Sequence, residues 1–241
     1  MKEEKKSTEK ARTMFPPTRT IPNPYEAIAR LENGVYRFNF SDCRKWMDFQ
    51  GKRLFGPHFR IYREDHDLIL SLLVYAIADK ESCQTRNLSL KKGILLTGPI
   101  GCGKTSLMTL VHFFFTGQRQ YHIKSTRDIS FKFEKEGYKV INRYSTGSKS
   151  TAAETHCTGV FCFDDLGTEQ PQKYFGNECN VMAEILLSRY DLFVSKGIPT
   201  HVTTNLSASE LEEKYGNRLR SRMREMFNLV AFDKNSRDKR S

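Results

Sequence analysis

The most specific chemistry in the chain lies in Gly98-Pro99-Ile100-Gly101-Cys102-Gly103-Lys104-Thr105-Ser106, which fits the Gly-x-x-x-x-Gly-Lys-Thr pattern of a phosphate-binding P-loop. A polyphosphate must be wrapped by backbone N–H groups, and glycines at 98, 101 and 103 let the backbone come that close. Lys104 then supplies a cation for the β- and γ-phosphates, and Thr105 a hydroxyl for Mg²⁺. The N-terminus of the following helix adds its partial positive charge. A second stretch, Val160-Phe161-Cys162-Phe163-Asp164-Asp165-Leu166-Gly167, ends four apolar residues in two carboxylates, and Asp164 lies 60 residues after Lys104. It looks like a Walker B motif: Asp164 would hold Mg²⁺ through water, and Asp165 would orient or deprotonate an attacking water. Two acidic residues at a strand end also suit a plain turn or helix cap; the neighbouring P-loop decides between the readings. Asn205, closing the β-branched strand Pro199 to Thr204, could hold the attacking water, although alone it would read as the start of a turn.

These groups must be carried by particular elements. Gly93 to Thr97 is an apolar run short enough for a buried strand, and Leu107 to Val111 reads as a helix. Val160 to Phe163 has the pattern of a parallel strand buried on both faces, at whose carboxyl end ligands gather. Asp67 to Ala78 is apolar almost all round, as in a helix packed deep against a sheet. Further along, Tyr121 to Lys124 predicts a strand, Ile129 to Tyr144 a helix, Val181 to Tyr190 a helix, and Leu229 to Phe232 a fifth strand. Ser207 and Glu210 form a capping box for a helix that stops at Gly216, after which Asn217 can cap a second helix over Arg218 to Met226. That helix carries Arg218 and Arg222 on one face and Arg220 and Arg224 on another.

Composition narrows the partners. The net charge is +11 and the pI near 9.4, which favours a polyanion such as nucleic acid. From Lys214 to Ser241 there are nine Lys/Arg against three Asp/Glu. The longest apolar runs are too short to span a bilayer, and Met1 to Lys6 is charged where a signal peptide would be apolar, so no membrane and a cytoplasmic location are expected. The six cysteines show neither Cys-x-x-Cys spacing nor a paired framework and read as reduced thiols. A zinc site from His156, Cys157, Cys162 and Cys179 conflicts with the place of Cys162 in a buried strand. Residues 1 to 25 hold half of the prolines and predict a disordered basic tail. Residues 26 to 64 interleave aromatic and basic residues, a composition that could stack on single-stranded nucleic acid, but with no glycine-spaced platform it reads rather as the core of a small N-terminal segment.

Gly98 to Thr105, Phe163-Asp164-Asp165-Leu166-Gly167, Thr203-Thr204-Asn205-Leu206 and Tyr215-Gly216-Asn217-Arg218-Leu219-Arg220-Ser221-Arg222-Met223 resemble the DnaC/IstB-type AAA+ ATPases, which include helicase loaders and transposition helpers. The resemblance spans residues 65 to 241. It implies an α/β P-loop NTPase fold, with a parallel five-stranded sheet between helices and no C-terminal helical lid domain. It also implies ATP and Mg²⁺ as cofactors, DNA (single-stranded) and a replicative helicase or transposase as partners, and an ATP-dependent homo-oligomer. Asn205 becomes the sensor-1 residue, Arg222 or else Arg218 an arginine finger for a neighbouring subunit, and Arg237 of Ser236-Arg237 a sensor-2-like residue. Asp165 stands where many AAA+ proteins carry glutamate, which predicts slow hydrolysis. The reading is thus of a helicase-loader-type ATPase in DNA replication, with a transposition helper as the alternative within the family. A P-loop small-molecule kinase would need an arginine-bearing lid between the P-loop and the last strand, whereas the arginines cluster near the C-terminal end. A nucleotide-switched adaptor that hydrolyses almost no ATP is the third reading.

Overall fold

The computed structural model describes residues 21–146 and 159–240. Most of the predicted tail, residues 1 to 20, lies outside them, as do His156 and Cys157. The described chain starts with a short helix α1 (Pro24–Ala27), a hairpin of β1 (Arg30–Glu32) and β2 (Val35–Arg37), and helix α2 (Phe40–Phe55). Helices α3 (His66–Ala76) and α4 (Lys80–Thr85) lead to strand β3 (Gly93–Thr97) and helix α5 (Lys104–Val111). Then come β4 (His122–Ser125), α6 (Thr126–Glu136), α7 (Tyr138–Thr146), β5 (Phe161–Leu166), and a second hairpin, β6 (Gln172–Tyr174) and β7 (Asn177–Cys179). Helix α8 (Val181–Lys196), β8 (His201–Thr204), α9 (Ala208–Met226) and β9 (Phe227–Ala231) complete the order.

Five strands form one parallel sheet in the order β4-β5-β8-β3-β9, the five-stranded α/β arrangement expected from the sequence. Side chains alternate across it with the period of two that a strand requires. Ile94 and Leu96 of β3 and Cys162 of β5 enter a core shared with Trp46, Leu72, Leu107 and Leu110 from α2, α3 and α5. Leu95, Phe161 and Phe163 point the other way, into a core with Ile129, Val140, Ile185 and Leu219 from α6 to α9. Being covered on both faces explains why these strands read as continuous apolar runs rather than alternating ones.

Because β8 lies between β3 and β5, the carboxyl ends of these three strands stand side by side; the P-loop follows β3, Asn205 follows β8, and Asp164-Asp165 lie in the last part of β5. The single helix expected over Ile129 to Tyr144 is two, α6 and α7. Gly137 separates them at φ 60°, a left-handed conformation that helical residues cannot adopt, and a Cβ there would run into the Tyr174 ring. In α9 the capping box is complete in both directions between Ser207 and Glu210. The break predicted at Gly216 is present, with φ 82° and ψ 157°.

The aromatic and basic segment divides by burial. Trp46 and Met47 of α2 are buried, and Phe38, Phe40, Phe55 and Phe59 pack partly buried against the same core; Tyr36 and Phe49 are exposed.

His201 tests the interior directly. It is fully buried among the rings of Tyr75, Phe115 and Tyr121, and its Nδ1 accepts the N–H of Ile94 at 3.1 Å. Burial first, then the guanidinium groups of Arg119 and Arg189, lower its pKa to about 3. The folded state therefore keeps it neutral where the unfolded chain, near pH 6.5, would protonate it. Its contribution is full above pH 6.5 and is lost as the pH falls toward 3, by about 1.4 kcal/mol per unit. Denaturant melts of the parent and of His201→Asn should show their stability difference shrinking by about 2 kcal/mol between pH 7.5 and 5. A constant difference across that range would contradict a neutral buried imidazole.

Candidate nucleotide and metal site

The loop from Gly98 to Gly103 turns through two left-handed glycines, Gly101 at φ 79° and Gly103 at φ 101°, and enters α5 at Lys104. Lys104 is buried, and its Nζ donates to the carbonyl oxygens of Gly98 and Pro99, both at 2.9 Å. The ammonium is thus folded back over the mouth of its own loop, where phosphate oxygens would replace the carbonyls. Thr105 follows on the exposed side of the helix start, and its hydroxyl lies 3.0 Å from both carboxylate oxygens of Asp164. That places the two proposed metal ligands in one spot. Ile100 is exposed at the tip of the loop, Cys102 is buried beneath it, and Ser106 is half-buried in the first turn of α5.

Asp164 is held by a third group, which the sequence reading did not single out. Thr203 of β8 donates its hydroxyl to Asp164 Oδ1 at 2.6 Å, and the Thr203 Oγ1 in turn accepts the backbone N–H of Asp165 at 2.9 Å. Burial pushes the Asp164 carboxyl above its ordinary range and Asp165 adds to the effect, while the Thr203 and Thr105 hydroxyls and Lys104 oppose it. A buried carboxylate that already meets two hydroxyls is a fitting seat for Mg²⁺, whose charge would reverse that upward push.

Asp165 sits beyond the plane of Asp164 with a left-handed backbone, φ 57°, unusual for a residue with a side chain. Its carbonyl oxygen accepts the hydroxyls of Thr126 at 2.9 Å and Thr168 at 2.8 Å, so the strained turn is pinned from both sides. Its side chain lines a cleft of about 230 Å³ together with Gly101 to Leu107 of the P-loop.

The far wall of that cleft comes from residues distant in sequence: Phe55, Phe59, Ile61, Ile69 and Lys239. Lys239 is nearly buried and pairs with the equally buried Asp65 at 2.5 Å, while its backbone N–H donates to the Gly101 carbonyl at 3.0 Å. Asp238, next to it, packs its carboxylate where a Cβ on Gly101 would have to go. No local pattern announces this strap, because it is made by packing between the two ends of the described chain.

The other predicted residues lie elsewhere. Asn205 follows β8 into a neighbouring groove that shares Gly98 and Pro99, and its amide has no partner among the described residues. Arg237 stacks on Tyr62, with its charge 3.8 Å from Glu64, so it is absent from the cleft lining, whose cations opposite the P-loop are Arg60, Lys239 and Arg240. Arg218 is exposed on the second part of α9 and has no partner among the described residues. Arg222, one turn on, lies over the Tyr190 ring at 4.7 Å. Neither arginine lines the cleft of its own chain. Cys162 and Cys179 are buried and free, and no group of three or more potential metal ligands occurs among the described residues. No helix among them is long and apolar enough to cross a membrane.

The fold is an α/β one, a five-stranded parallel sheet between helices with a P-loop between β3 and α5. No protein-family model and no curated protein sequence matches the chain. Among solved structures it is similar to the DnaC helicase loader, at 18% identity and a TM-score of 0.47, over 72% of this chain and 92% of that one. It is similar to DnaI at 18% and 0.43, over 59% and 73%. The AMPPCP-bound DnaA from Aquifex aeolicus is similar at 16% and 0.45, over 73% and 48%. These likenesses concern the backbone arrangement, and the chemistry of the site rests on the residues described above.

Thr203→Val removes the hydroxyl without changing the shape of the side chain. It leaves an Asp164 oxygen and the Asp165 N–H unpaired in a buried place, at about 1 to 3 kcal/mol each. Thermal melts should show a clear loss of stability, and Mg²⁺-nucleotide affinity should fall about tenfold, whereas Thr203→Ser should keep both. Equal affinity in the valine and serine variants would remove Thr203 from the site.

Proposed function

We propose that the chain is an AAA+-type ATPase that acts on DNA, in the manner of a helicase loader in replication. The observation that carries this reading is that Lys104, Thr105 and Asp165 line one cleft and that the Thr105 hydroxyl meets both carboxylate oxygens of Asp164. A P-loop with its lysine and Thr105 would cradle the phosphates of ATP, Asp164 would share Mg²⁺ with Thr105, and Asp165 would orient the attacking water. Supplying the phosphates' counter-charge and a fixed water position is most of what phosphoryl transfer asks of a protein. The nucleoside would extend toward Phe59, Ile61 and Ile69, the apolar part of the cleft.

Two features support an assembly in which sites are completed between subunits. Arg218 and Arg222 lie outside their own cleft, and Arg218 is exposed and without a partner among the described residues. An arginine presented this way can stabilise the transferring phosphoryl group only in another subunit. The DNA part rests on the surplus of +11 and on the run of basic residues from Lys214 onward. The loader role rests on the four motif stretches that resemble the DnaC/IstB type.

A second reading, a nucleotide-switched adaptor with little turnover, is favoured by Asp165. Its side chain is one methylene shorter than glutamate, and its backbone is held in a strained turn, both of which limit its reach toward a water.

Nucleotide binding and turnover, assayed with single-stranded DNA present across a salt series, separate these readings. Lys104→Ala should lose ATP binding, and Asp165→Asn should bind within about threefold of the parent yet lose at least about 10² in turnover. DNA affinity should fall log-linearly with salt. Parental turnover in both variants would overturn the site assignment, and a parent that binds ATP but shows no turnover would leave the adaptor.

A further inference from the structure

The turn that follows the catalytic carboxylates is tied to the arginine-bearing helix by a set of buried contacts. After Asp165 the chain passes Gly167, at φ 108°, and reaches Glu169, whose side chain is only 3% exposed although it is a carboxylate on a surface turn. Glu169 Oε2 accepts the backbone N–H of Gly167 at 3.0 Å. Its other oxygen, Oε1, accepts the hydroxyl of Tyr215, which belongs to the first part of α9 and is itself buried. Burial and the Glu169 charge hold the Tyr215 phenol well above its ordinary pKa, so it stays a donor. Beside it, Lys214 Nζ donates to the carbonyl oxygens of Gly167 at 2.6 Å and Glu169 at 2.7 Å. Two carbonyls and one carboxylate oxygen of the turn are thereby bound to two consecutive residues of one helix, and the second carboxylate oxygen closes the turn on itself.

Those two residues immediately precede Gly216, the one residue of α9 with a non-helical backbone. A Cβ at Gly216 would meet nothing within 4 Å, so glycine is needed there for its dihedral angles and not for space. Beyond this hinge the helix resumes with Arg218 and Arg222. A shift of the turn at Asp165 therefore cannot occur without moving Lys214 and Tyr215 or breaking charge-assisted hydrogen bonds in a buried place, and the hinge is where such a movement would turn the second helical segment.

We propose that Glu169, Tyr215 and Lys214 are positioning residues that couple the nucleotide site of one subunit to the arginines it offers to its neighbour. The inference rests on the reading that sites are shared between subunits. Ordering of the Asp165 turn around Mg²⁺-ATP sets the orientation of Arg218 and Arg222 through the Glu169–Tyr215 contact. A subunit with an intact P-loop but a broken contact keeps its own site and presents its arginines badly.

Subunit mixing separates these effects. Tyr215→Phe keeps the ring and loses the donor; Glu169→Gln keeps the shape and loses the charge. Each should bind a fluorescent ATP analogue within about twofold of the parent while turnover falls about tenfold or more. Mixed with an excess of Asp165→Asn subunits, which bind ATP without turning it over and keep the Glu169–Tyr215 contact and both arginines, Tyr215→Phe should recover the turnover per intact site that the parent shows in the same excess. The double variant should be no worse than either single one, because both remove one contact. Damage confined to the Asp165 turn or to folding would not be repaired by a neighbour, so failure of Tyr215→Phe and Glu169→Gln to recover, or full turnover in both alone, overturns the coupling. Arg218→Ala and Arg222→Ala, mixed with the same Asp165→Asn excess, test the shared site itself. If neither recovers, the shared-site reading falls and the coupling with it; if either recovers while the Tyr215 and Glu169 variants do not, only the coupling falls.

Discussion

Asp164 is a carboxylate that the fold buries and then surrounds with hydroxyls. Thr105 approaches it from α5, Thr203 from β8, and the strand that carries it, β5, is separated from the P-loop strand by β8. Three elements from three parts of the chain must be in register for that small cluster to exist. Burying a charge without a full counter-charge is costly, and the upward push on the Asp164 carboxyl reflects it. Such an arrangement is stable only because two covered sheet faces supply the folding energy, and it acquires a use when a divalent cation arrives.

The same logic runs outward from the cluster. Asp165, next in sequence, is forced into a left-handed backbone because its N–H is spent on Thr203 and its carbonyl on Thr126 and Thr168. The turn that follows is fastened to α9 by Glu169, Lys214 and Tyr215, and on the opposite side of the cleft the buried pair of Lys239 and Asp65 holds the strap against Gly101. Local strain at Asp165 is thus stored within a frame that is rigid on both sides. Function in this protein is carried less by any single reactive side chain than by how tightly a few ordinary ones are held.

Much of this was legible in the sequence, for identifiable reasons. The strands β3 and β5 are buried on both faces, so they appear as short apolar runs, and each ends in residues whose types are chemically narrow: glycines with a lysine, and paired carboxylates. The hinge at Gly216 was visible because a capping box and a second cap flank a glycine. The helical stretch from Ile129 to Tyr144 is helical on both sides of Gly137, but apolar spacing on both sides conceals the break at a glycine whose φ is positive. The hairpin β1–β2 turns at Asn33-Gly34, both at positive φ, a local signal that its three-residue strands were too short to reinforce. Thr203, Lys239 and the wall from Phe55 to Ile61 had no local signal, because what makes them part of the site is packing across the sheet order.

The claim on which the account turns is that Asp164 and Thr105 form a Mg²⁺ seat beside a nucleotide cradle. Thermal melting of the protein with ATP and Mg²⁺, with ATP and a chelator, and with Mg²⁺ alone measures it without any assumption about turnover or partners. At about a hundred times the dissociation constant, a ligand bound only by the folded state adds about 2.7 kcal/mol, or roughly 5 to 11 °C for a chain of this size. ATP with Mg²⁺ should produce that rise, ATP with chelator should produce much less, and Asp164→Asn should abolish the difference between them. A rise that is the same with and without Mg²⁺, or unchanged in Asp164→Asn, would contradict the account.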